Sequence, residues 1–224
     1  MIVKNEHENI SESVNVAEEY PLHPLIIRRK STRAFSEKSV ESRKLRSVLE
    51  AARWAPSSSN IQPWRFIVAT KEQPENYERL LGLLAEQNKI WAANAPVLIL
   101  STAKITHEFG ERPNKFALHD VGLASANMTF QATSLGLAVH QMGGFNAEKA
   151  KTVLNIPQDF EPVAMIALGY RDTTDLLPQH SRERELAPRD RKDLSELAYD
   201  GLWGIPSSLA QDQTITIKTI TTNN

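Results

Sequence analysis

The 224-residue chain contains no cysteine and only nine glycines. Without thiols, disulfide exchange, cysteine nucleophiles and cysteine-ligated iron–sulfur clusters are excluded, so any redox chemistry must be carried by an organic cofactor. The glycines form neither the G-x-G-x-x-G fingerprint of dinucleotide-binding Rossmann folds nor a P-loop, and no G-x-S-x-G nucleophile motif occurs. These absences argue against a Rossmann dehydrogenase, a P-loop nucleotide hydrolase and a serine hydrolase of the G-x-S-x-G type.

Long hydrophobic runs and an excess of charge of one sign are also missing. No stretch reaches the roughly 18 consecutive apolar residues of a membrane span, and the first residues lack the apolar run of a signal peptide. The formal net charge of -1 argues against a general nucleic-acid binder. The six histidines form no H-E-x-x-H motif and no close pair. We therefore expect a cytoplasmic protein with no membrane, nucleic-acid or metal site.

The remaining sequence reads as helices that alternate with short strands. Apolar spacing predicts helices at 39–55, 74–86, 116–139 and 147–154, and apolar runs predict strands at 65–70, 97–100 and 162–169. The predicted helix at 116–139 is small or apolar nearly all round, so we expect it to be buried on most sides, in part by another copy of the chain. Within it, His119 and Asp120 are neighbours whose side chains should point about 100° apart, which favours structural roles over a catalytic pair.

The two ends and one internal stretch are less regular. We expect residues 1–20 to form a mobile arm, and residues 171–193 are charged and mostly aperiodic. In the tail at 207–224, residues 214–221 alternate strictly and have strong strand propensity. A single terminal strand is unstable alone, so this segment should either pair with a sheet edge or remain frayed.

Three short motifs carry the chemistry. The segment from Arg28 to Arg33 places four cations and two hydroxyls in six residues, which suits a bound phosphate. A polar loop, Pro56-Ser57-Ser58-Ser59-Asn60, follows the first long helix, and Gly143-Gly144 follow a later apolar stretch. Taken singly, these motifs also fit a solvated basic stretch, a helix stop with a turn, and a turn that needs positive φ angles.

In this order, the three motifs resemble those of the nitroreductase family of flavin-dependent oxidoreductases, over roughly residues 22–204. The resemblance implies an α+β, nitroreductase-like fold in which a mainly antiparallel sheet is wrapped by helices. It implies an intertwined homodimer with two flavin sites at the interface. The FMN-binding domain would span 21–206, and the tail at 207–224 would cross to the partner's sheet or stay frayed.

The resemblance also assigns roles to individual residues. The FMN phosphate and ribityl chain would contact Arg29, Lys30 and Ser31. A cation, Arg33, would lie near the pyrimidine edge of the ring, and Asn88 would hydrogen-bond that edge. A loop that reaches the other subunit's flavin would contain Pro56, Ser57, Ser58 and Asn60. The turn at flavin N5 would contain Met142, Gly143 and Gly144. The phosphate would also contact Arg189 and Arg191, with Lys192 as an alternative to either.

The implied activity is transfer of hydride from NADH or NADPH through flavin N5 to a nitroaromatic, quinone or similar small conjugated acceptor, in ping-pong alternation. No side chain acts as a catalyst in this scheme, because the flavin carries the chemistry and Arg33 and Gly144 only tune it. Trp91 stands where some members carry a second lysine. Two alternatives stay open: another reaction on the same fold, such as dehalogenation, dehydrogenation or flavin destruction, and a flavin-binding protein without turnover.

Overall fold

The computed structural model describes residues 20–107 and 112–210. The chain divides into two compact units, residues 1–185 and 186–224. The arm expected at 1–20, apart from Tyr20, and the strand expected at 214–221 lie outside the described residues.

The helices of the described part are α1 (Pro24–Arg28), α2 (Ser42–Arg53), α3 (Pro74–Leu81), α4 (Glu86–Ala92), α5 (Ala117–Ser134), α6 (Ala147–Val153) and α7 (Gln179–Leu186). Its strands are β1 (Trp64–Thr70), β2 (Val97–Lys104), β3 (Ala138–Met142) and β4 (Phe160–Gly169).

The first unit is built on a four-stranded sheet in the order β1-β2-β4-β3, and every neighbouring pair is antiparallel. Strand β2 lies inside the sheet and is buried from Val97 to Ala103, which explains why its sequence is an apolar run rather than an alternating pattern. Among the described residues, strand β3 is an edge strand that pairs with β4 alone. This arrangement confirms the expected α+β fold with an antiparallel sheet.

Helices cover both faces of the sheet. On one face, α3 and α4 supply Leu80 and Trp91 to a core that includes Leu98 of β2. On the other, Val48 of α2 and Met128 of α5 pack in a core that includes sheet residues such as Ile99 and Ile166. Fully burying side chains of this size contributes roughly 1.5–3 kcal/mol each, so the two apolar layers fix which face of each helix meets the sheet.

Most predicted elements are confirmed. Helix α2 buries Val48 and Ala52 and ends before Pro56, β1 and β4 match the predicted strands, and β2 extends four residues beyond its predicted end. Helix α3 begins at Pro74, which sits at its first position. The Asn146 side chain caps α6 by accepting from the Lys149 N–H at 2.8 Å.

Two predicted helix ends are wrong. The helix predicted over 74–86 stops at Leu81, because Leu83 and Leu84 turn inward to the core and Leu84 forms a β-bridge with Phe145. The helix predicted to reach 139 ends at Ser134, because Gly136 adopts a φ of 74° that breaks the helical path. Residues Ala138–Met142 then pair with β4 as a strand.

The charged stretch at 171–193 is less irregular than its pattern indicated, since it contains α7. The described part of the second unit is short and built from single turns. Leu194–Glu196 and Ser208–Ala210 are 3₁₀ turns, and Tyr199 forms a β-bridge with Pro206. Within this unit, the Asp200 carboxylate accepts from the Ser207 hydroxyl and the Ser208 N–H, which lowers the pKa of Asp200.

Two negative findings concern the described residues. None of their helices combines the length and apolar character needed to cross a membrane. No three of their histidine, aspartate and glutamate side chains converge into a group that could ligate a metal ion.

Candidate cofactor site

The basic segment, residues 28–35, leaves the end of α1 and runs beside edge strand β3. His140 of β3 fixes this path, because its Nδ1 lies 2.9 Å from the Thr32 carbonyl oxygen. A carbonyl only accepts, so Nδ1 carries the proton and donates it. Burial is the main cause that lowers the pKa of His140, and its ring lies 4.5 Å from that of Trp91. The basic segment is therefore held against the sheet edge by a neutral histidine.

Two depressions adjoin the basic segment, and alternate residues line them. The first depression, about 400 Å³, is lined by Arg28, Lys30, Thr32 and Arg171, together with residues at the end of α5. The second depression is about 230 Å³, and the basic segment contributes Arg29 and Ser31 to it. Its other lining residues are Ala126, Thr129, Phe130, Val139 and Gln141.

The alternation divides the three residues that the family pattern assigns to phosphate and ribityl contacts. Arg29 and Ser31 share the second depression, where Arg29 Nη1 donates to Ser31 Oγ at 3.1 Å. Lys30 instead lines the first depression, with Arg28 and Arg171. Guanidinium, ammonium and hydroxyl groups all donate to phosphate oxygens, so each depression has the chemistry of an anion site.

Arg33 follows on the same segment and is half-buried. Its guanidinium carbon lies 6.0 Å from the centre of the Trp91 ring, within the range of a cation–π contact. Desolvation is the main cause that lowers the pKa of Arg33, and the Glu185 carboxylate opposes it. Trp91, at the position where some family members have a lysine, is buried and stacks on Phe35 at 6.3 Å. It therefore supports Arg33 from below and adds no second cation.

The glycine turn lies directly after β3, which ends at the buried Met142. Asn88 reaches this turn, and its Nδ2 donates to the Gly144 carbonyl at 3.1 Å. A Cβ at Gly144 would come within 2.6 Å of Asn88 Nδ2, whereas a Cβ at Gly143 would meet no atom of the described residues within 4 Å. Neither glycine has a positive φ, so the interpretation of this turn as a positive-φ turn is wrong. The structure thus joins Asn88 to the turn and leaves open space beside Gly143.

The polar loop after α2 has an unusual backbone. Ser59, Asn60 and Gln62 adopt φ angles of 49°, 56° and 53°, which are costly for residues with side chains. The Ser57 hydroxyl accepts from the Gln62 N–H at 3.0 Å and closes the loop. Asp120 anchors it from α5, since its Oδ2 accepts from the Ser58 N–H at 3.1 Å.

The side chains of His119 and Asp120 do not point apart as the sequence predicted. The Asp120 side chain is buried, and its Oδ1 lies 3.1 Å from Nδ1 of the exposed His119, so the two adjacent side chains do meet. The contact arises because the carboxylate bridges outward to the imidazole and inward to the loop. A structural role for the pair still follows, because the second oxygen of Asp120 is committed to Ser58.

Arg189, Arg191 and Lys192 belong to the second unit. Within that unit, Arg191 donates to the carbonyl of Asp190, and Lys192 forms an ion pair with Glu196 at 3.6 Å. The assignment of these cations to the cofactor phosphate stays a prediction.

Comparison with known proteins identifies the fold family. Residues 26–170 match the family model "Nitroreductase family". The chain belongs to the nitroreductase family.

A solved structure of an oxidoreductase containing FMN is 36% identical to this family member, with a TM-score of 0.81, and the match covers 88% of this chain and 100% of that one. A nitroreductase family protein from Clostridium difficile 630 is 28% identical, with a TM-score of 0.62 and coverage of 80% and 96%. A protein of Archaeoglobus fulgidus named "Putative NADH dehydrogenase/NAD(P)H nitroreductase" is 24% identical over 163 residues, which cover 70% of this chain and 90% of that protein.

Two residues of this nitroreductase-family site were missed by sequence reasoning. Glu185 lies in a charged stretch with no apolar spacing, yet it is 1% exposed and contacts the basic segment. His140 directly follows the helix predicted at 116–139, and nothing in the sequence marked it as a partner of Thr32. A glutamate in a polar helix is usually solvated, so the sequence carried no signal for Glu185.

Proposed function

We propose that this protein binds FMN along edge strand β3 and uses it for two-electron redox chemistry. The observation that carries the proposal is that the basic segment and the glycine turn both adjoin strand β3. The basic segment contacts the middle of β3 through His140, and the open glycine turn with Asn88 follows directly after its last residue. An anionic group and a flat ring edge in one ligand match these two features, and the relative that contains FMN supports this choice.

The residues present fit FMN by their chemistry. The second depression offers the Arg29 guanidinium and the Ser31 hydroxyl to a phosphate and the Gln141 amide to a hydroxylated chain. Space stays open where a side chain at Gly143 would stand, so the backbone of the turn is accessible to a ligand. Lys30 in the first depression is the further cation of the first unit that we propose for the phosphate.

FMN, when bound, supplies the two-electron redox chemistry that no side chain of this protein supplies. Arg33 provides a fixed positive charge that stabilises negative charge developing beside it. The Trp91 ring below Arg33 and the buried surroundings keep water away from this charge, which strengthens its effect. Asn88 donates through Nδ2 to the Gly144 carbonyl, which orients its side chain. Its side-chain oxygen, Oδ1, is an acceptor for a ring N–H.

For the reaction, we propose that NADH or NADPH reduces the cofactor and that a nitroaromatic, quinone or similar conjugated acceptor reoxidises it at the same site. The name of the Archaeoglobus fulgidus relative supports a nicotinamide donor. We further propose a homodimer in which the loop at Pro56–Asn60 of one protomer completes the cofactor site of its partner. Hydrogen bonds from backbone N–H groups to Asp120 and Ser57 fix the conformation of that loop. A loop that contacts a ligand needs such support.

Anaerobic titration tests the proposed reaction. NADH or NADPH should bleach the flavin absorbance of the FMN-loaded protein within a catalytic timescale, and a quinone or nitroaromatic should restore it. Bleaching without reoxidation by any such acceptor would point to another reaction of the fold. A bound flavin that neither nicotinamide reduces would instead indicate a flavin-binding protein without turnover.

A further inference from the structure

Glu185 of α7 is a buried carboxylate that the proposed reaction does not use. Its side chain has no exposed surface. Burying a carboxylate costs several kcal/mol unless its oxygens are paired, so a buried glutamate implies specific partners. Glu185 has three: its Oε2 accepts from the Arg33 N–H at 2.7 Å, and its Oε1 accepts from the Thr32 hydroxyl at 2.8 Å and from Arg171 Nη2 at 3.3 Å.

Two of the three partners are adjacent residues of the basic segment. Thr32 is held on its other side as well, since its carbonyl accepts from His140 and its Oγ1 accepts from the Ala34 N–H at 3.1 Å. The backbone of each residue from Thr32 to Ala34 therefore forms a hydrogen bond. Because Glu185 lies 152 positions from Arg33 in sequence, the hydrogen bond between them requires that α7 is folded.

The Glu185 carboxylate forms its ion pair with Arg171 and not with the Arg33 guanidinium. Arg171 supplies the cation that pairs with Glu185, and Glu185 contacts Arg33 through its backbone N–H. Among the described residues, the Arg33 guanidinium forms no ion pair with a carboxylate. The guanidinium thus stays available for a ligand while its backbone is fixed.

We infer that Glu185 is a positioning residue that holds Arg33 at the cofactor, acting through the Arg33 N–H and the Thr32 hydroxyl. The inference rests on the FMN site proposed above. A carboxylate can accept from all three donors at once, whereas a glutamine of the same shape offers one oxygen and turns an NH₂ group either toward the Arg33 N–H or toward the Thr32 hydroxyl and Arg171. Glu185→Gln should therefore let the Thr32–Arg33 backbone move.

The test measures the midpoint potential of bound flavin and the FMN Kd in Glu185→Gln, alone and combined with Arg33→Ala. Arg33→Ala alone should make the potential more negative, because the cation that stabilises the reduced flavin is gone. Glu185→Gln should raise the Kd about tenfold and shift the potential in the same negative direction. In the Arg33→Ala background, Glu185→Gln should shift the potential no further.

Glu183→Gln is the matched control, because it removes the same charge from the exposed side of α7, where Glu183 contacts Gln179. It should leave both values unchanged. An unchanged or more positive potential in Glu185→Gln, or the same shift with and without Arg33, would overturn the inference. Absence of FMN binding by the wild-type protein would instead overturn the proposed function and, with it, the role of Glu185.

If circular dichroism shows that Glu185→Gln does not fold, the Thr32 variants decide. Thr32→Val removes the hydroxyl that donates to Glu185 and keeps the side-chain shape, and Thr32→Ser keeps the hydroxyl. The potential should become more negative in Thr32→Val and stay near the wild-type value in Thr32→Ser. Equal potentials in the two variants would contradict a positioning role.

Discussion

At the residue scale, the two glycines of the turn differ in what surrounds them. Gly144→Ala places a methyl group against Asn88 Nδ2 and should break the hydrogen bond from that atom, at a cost of about 1 kcal/mol. The methyl group of Gly143→Ala meets no described atom within 4 Å, so the substitution should leave the free energy of unfolding of the apoprotein unchanged or slightly higher. Urea denaturation of the two apoproteins measures the difference.

FMN titration of the same pair tests what occupies the space beside Gly143. A methyl group that enters the cofactor site should weaken FMN binding by Gly143→Ala although the fold is intact. Normal FMN affinity in Gly143→Ala would place the cofactor away from this turn.

His140 gives a prediction about pH. Burial depresses its pKa in the folded state below the ordinary value of about 6.5, so folding favours the neutral ring. The stabilisation is present above about pH 6.5 and is lost as the pH falls through the depressed pKa, because the unfolded chain binds the proton first. The free energy of unfolding should therefore drop as the pH falls below about 6.5, and His140→Gln should reduce this drop.

His180→Gln is the control, since His180 is exposed at the start of α7. The drop should be smaller in His140→Gln than in this control. An identical drop in wild type and His140→Gln would show that other groups set the acid sensitivity.

Sequence reasoning reached individual residues only where a motif marked them. The basic segment and the glycine turn stand out because cations and glycines are clustered, and the structure places the first beside β3 and the second at the end of β3. Glu185 could not be found this way, since its burial depends on α7 folding back over residues 152 positions away. The split of Arg29 and Lys30 between two depressions likewise depends on the extended path of the segment beside β3.

At the scale of elements, the loop after α2 depends on Asp120. Three positive φ angles in six residues store strain, and the Asp120 carboxylate offsets it by accepting from Ser58. Asp120→Ala should lower the free energy of unfolding by about 2 kcal/mol, because the Ser58 N–H loses a charged partner. It should also weaken FMN binding if the loop contacts the cofactor of the partner.

His119→Ala separates the anchor from its exposed neighbour. His119 contacts the same carboxylate but has an exposed side chain, so its loss should cost little stability. Equal destabilisation by His119→Ala and Asp120→Ala, measured by urea denaturation, would show that the contact between His119 and Asp120 matters and the Ser58 contact does not.

Elements were predictable where apolar spacing and caps agreed. Pro74 and Asn146 marked helix starts, and the apolar runs of β2 and β4 marked buried strands. The boundary between α5 and β3 was missed, because small and apolar residues continue through Gly136 and satisfy a helical pattern as well as a strand. Pairing with β4, a contact distant in sequence, decides between them.

At the scale of the whole molecule, α5 bears on the proposed dimer. Leu118 and Gly122 lie one turn apart on this helix, and both are exposed, with Leu118 at 57%. The described residues of one chain therefore cover this helix less than its apolar sequence predicts. Leu118→Glu should yield a smaller species that has lost FMN, because an unpaired carboxylate in an apolar contact costs several kcal/mol. Light scattering together with flavin content measures both effects.

Leu176→Glu is the control, since Leu176 is also an exposed leucine but lies outside α5. Ala126 is unsuitable for this purpose because it lines the second depression beside Arg29, where a new carboxylate would act on the cofactor directly. A stable, fully flavinated monomer of Leu118→Glu would mean that the cofactor site lies within one chain.

Every functional proposal for this protein requires bound FMN, which the absorbance spectrum of the purified protein before and after acid precipitation detects. We predict a flavin spectrum in the intact protein and release of FMN, rather than FAD, into the acid supernatant, since the chain has a basic segment but no dinucleotide fingerprint. A colourless protein that also fails to take up added FMN would contradict the account.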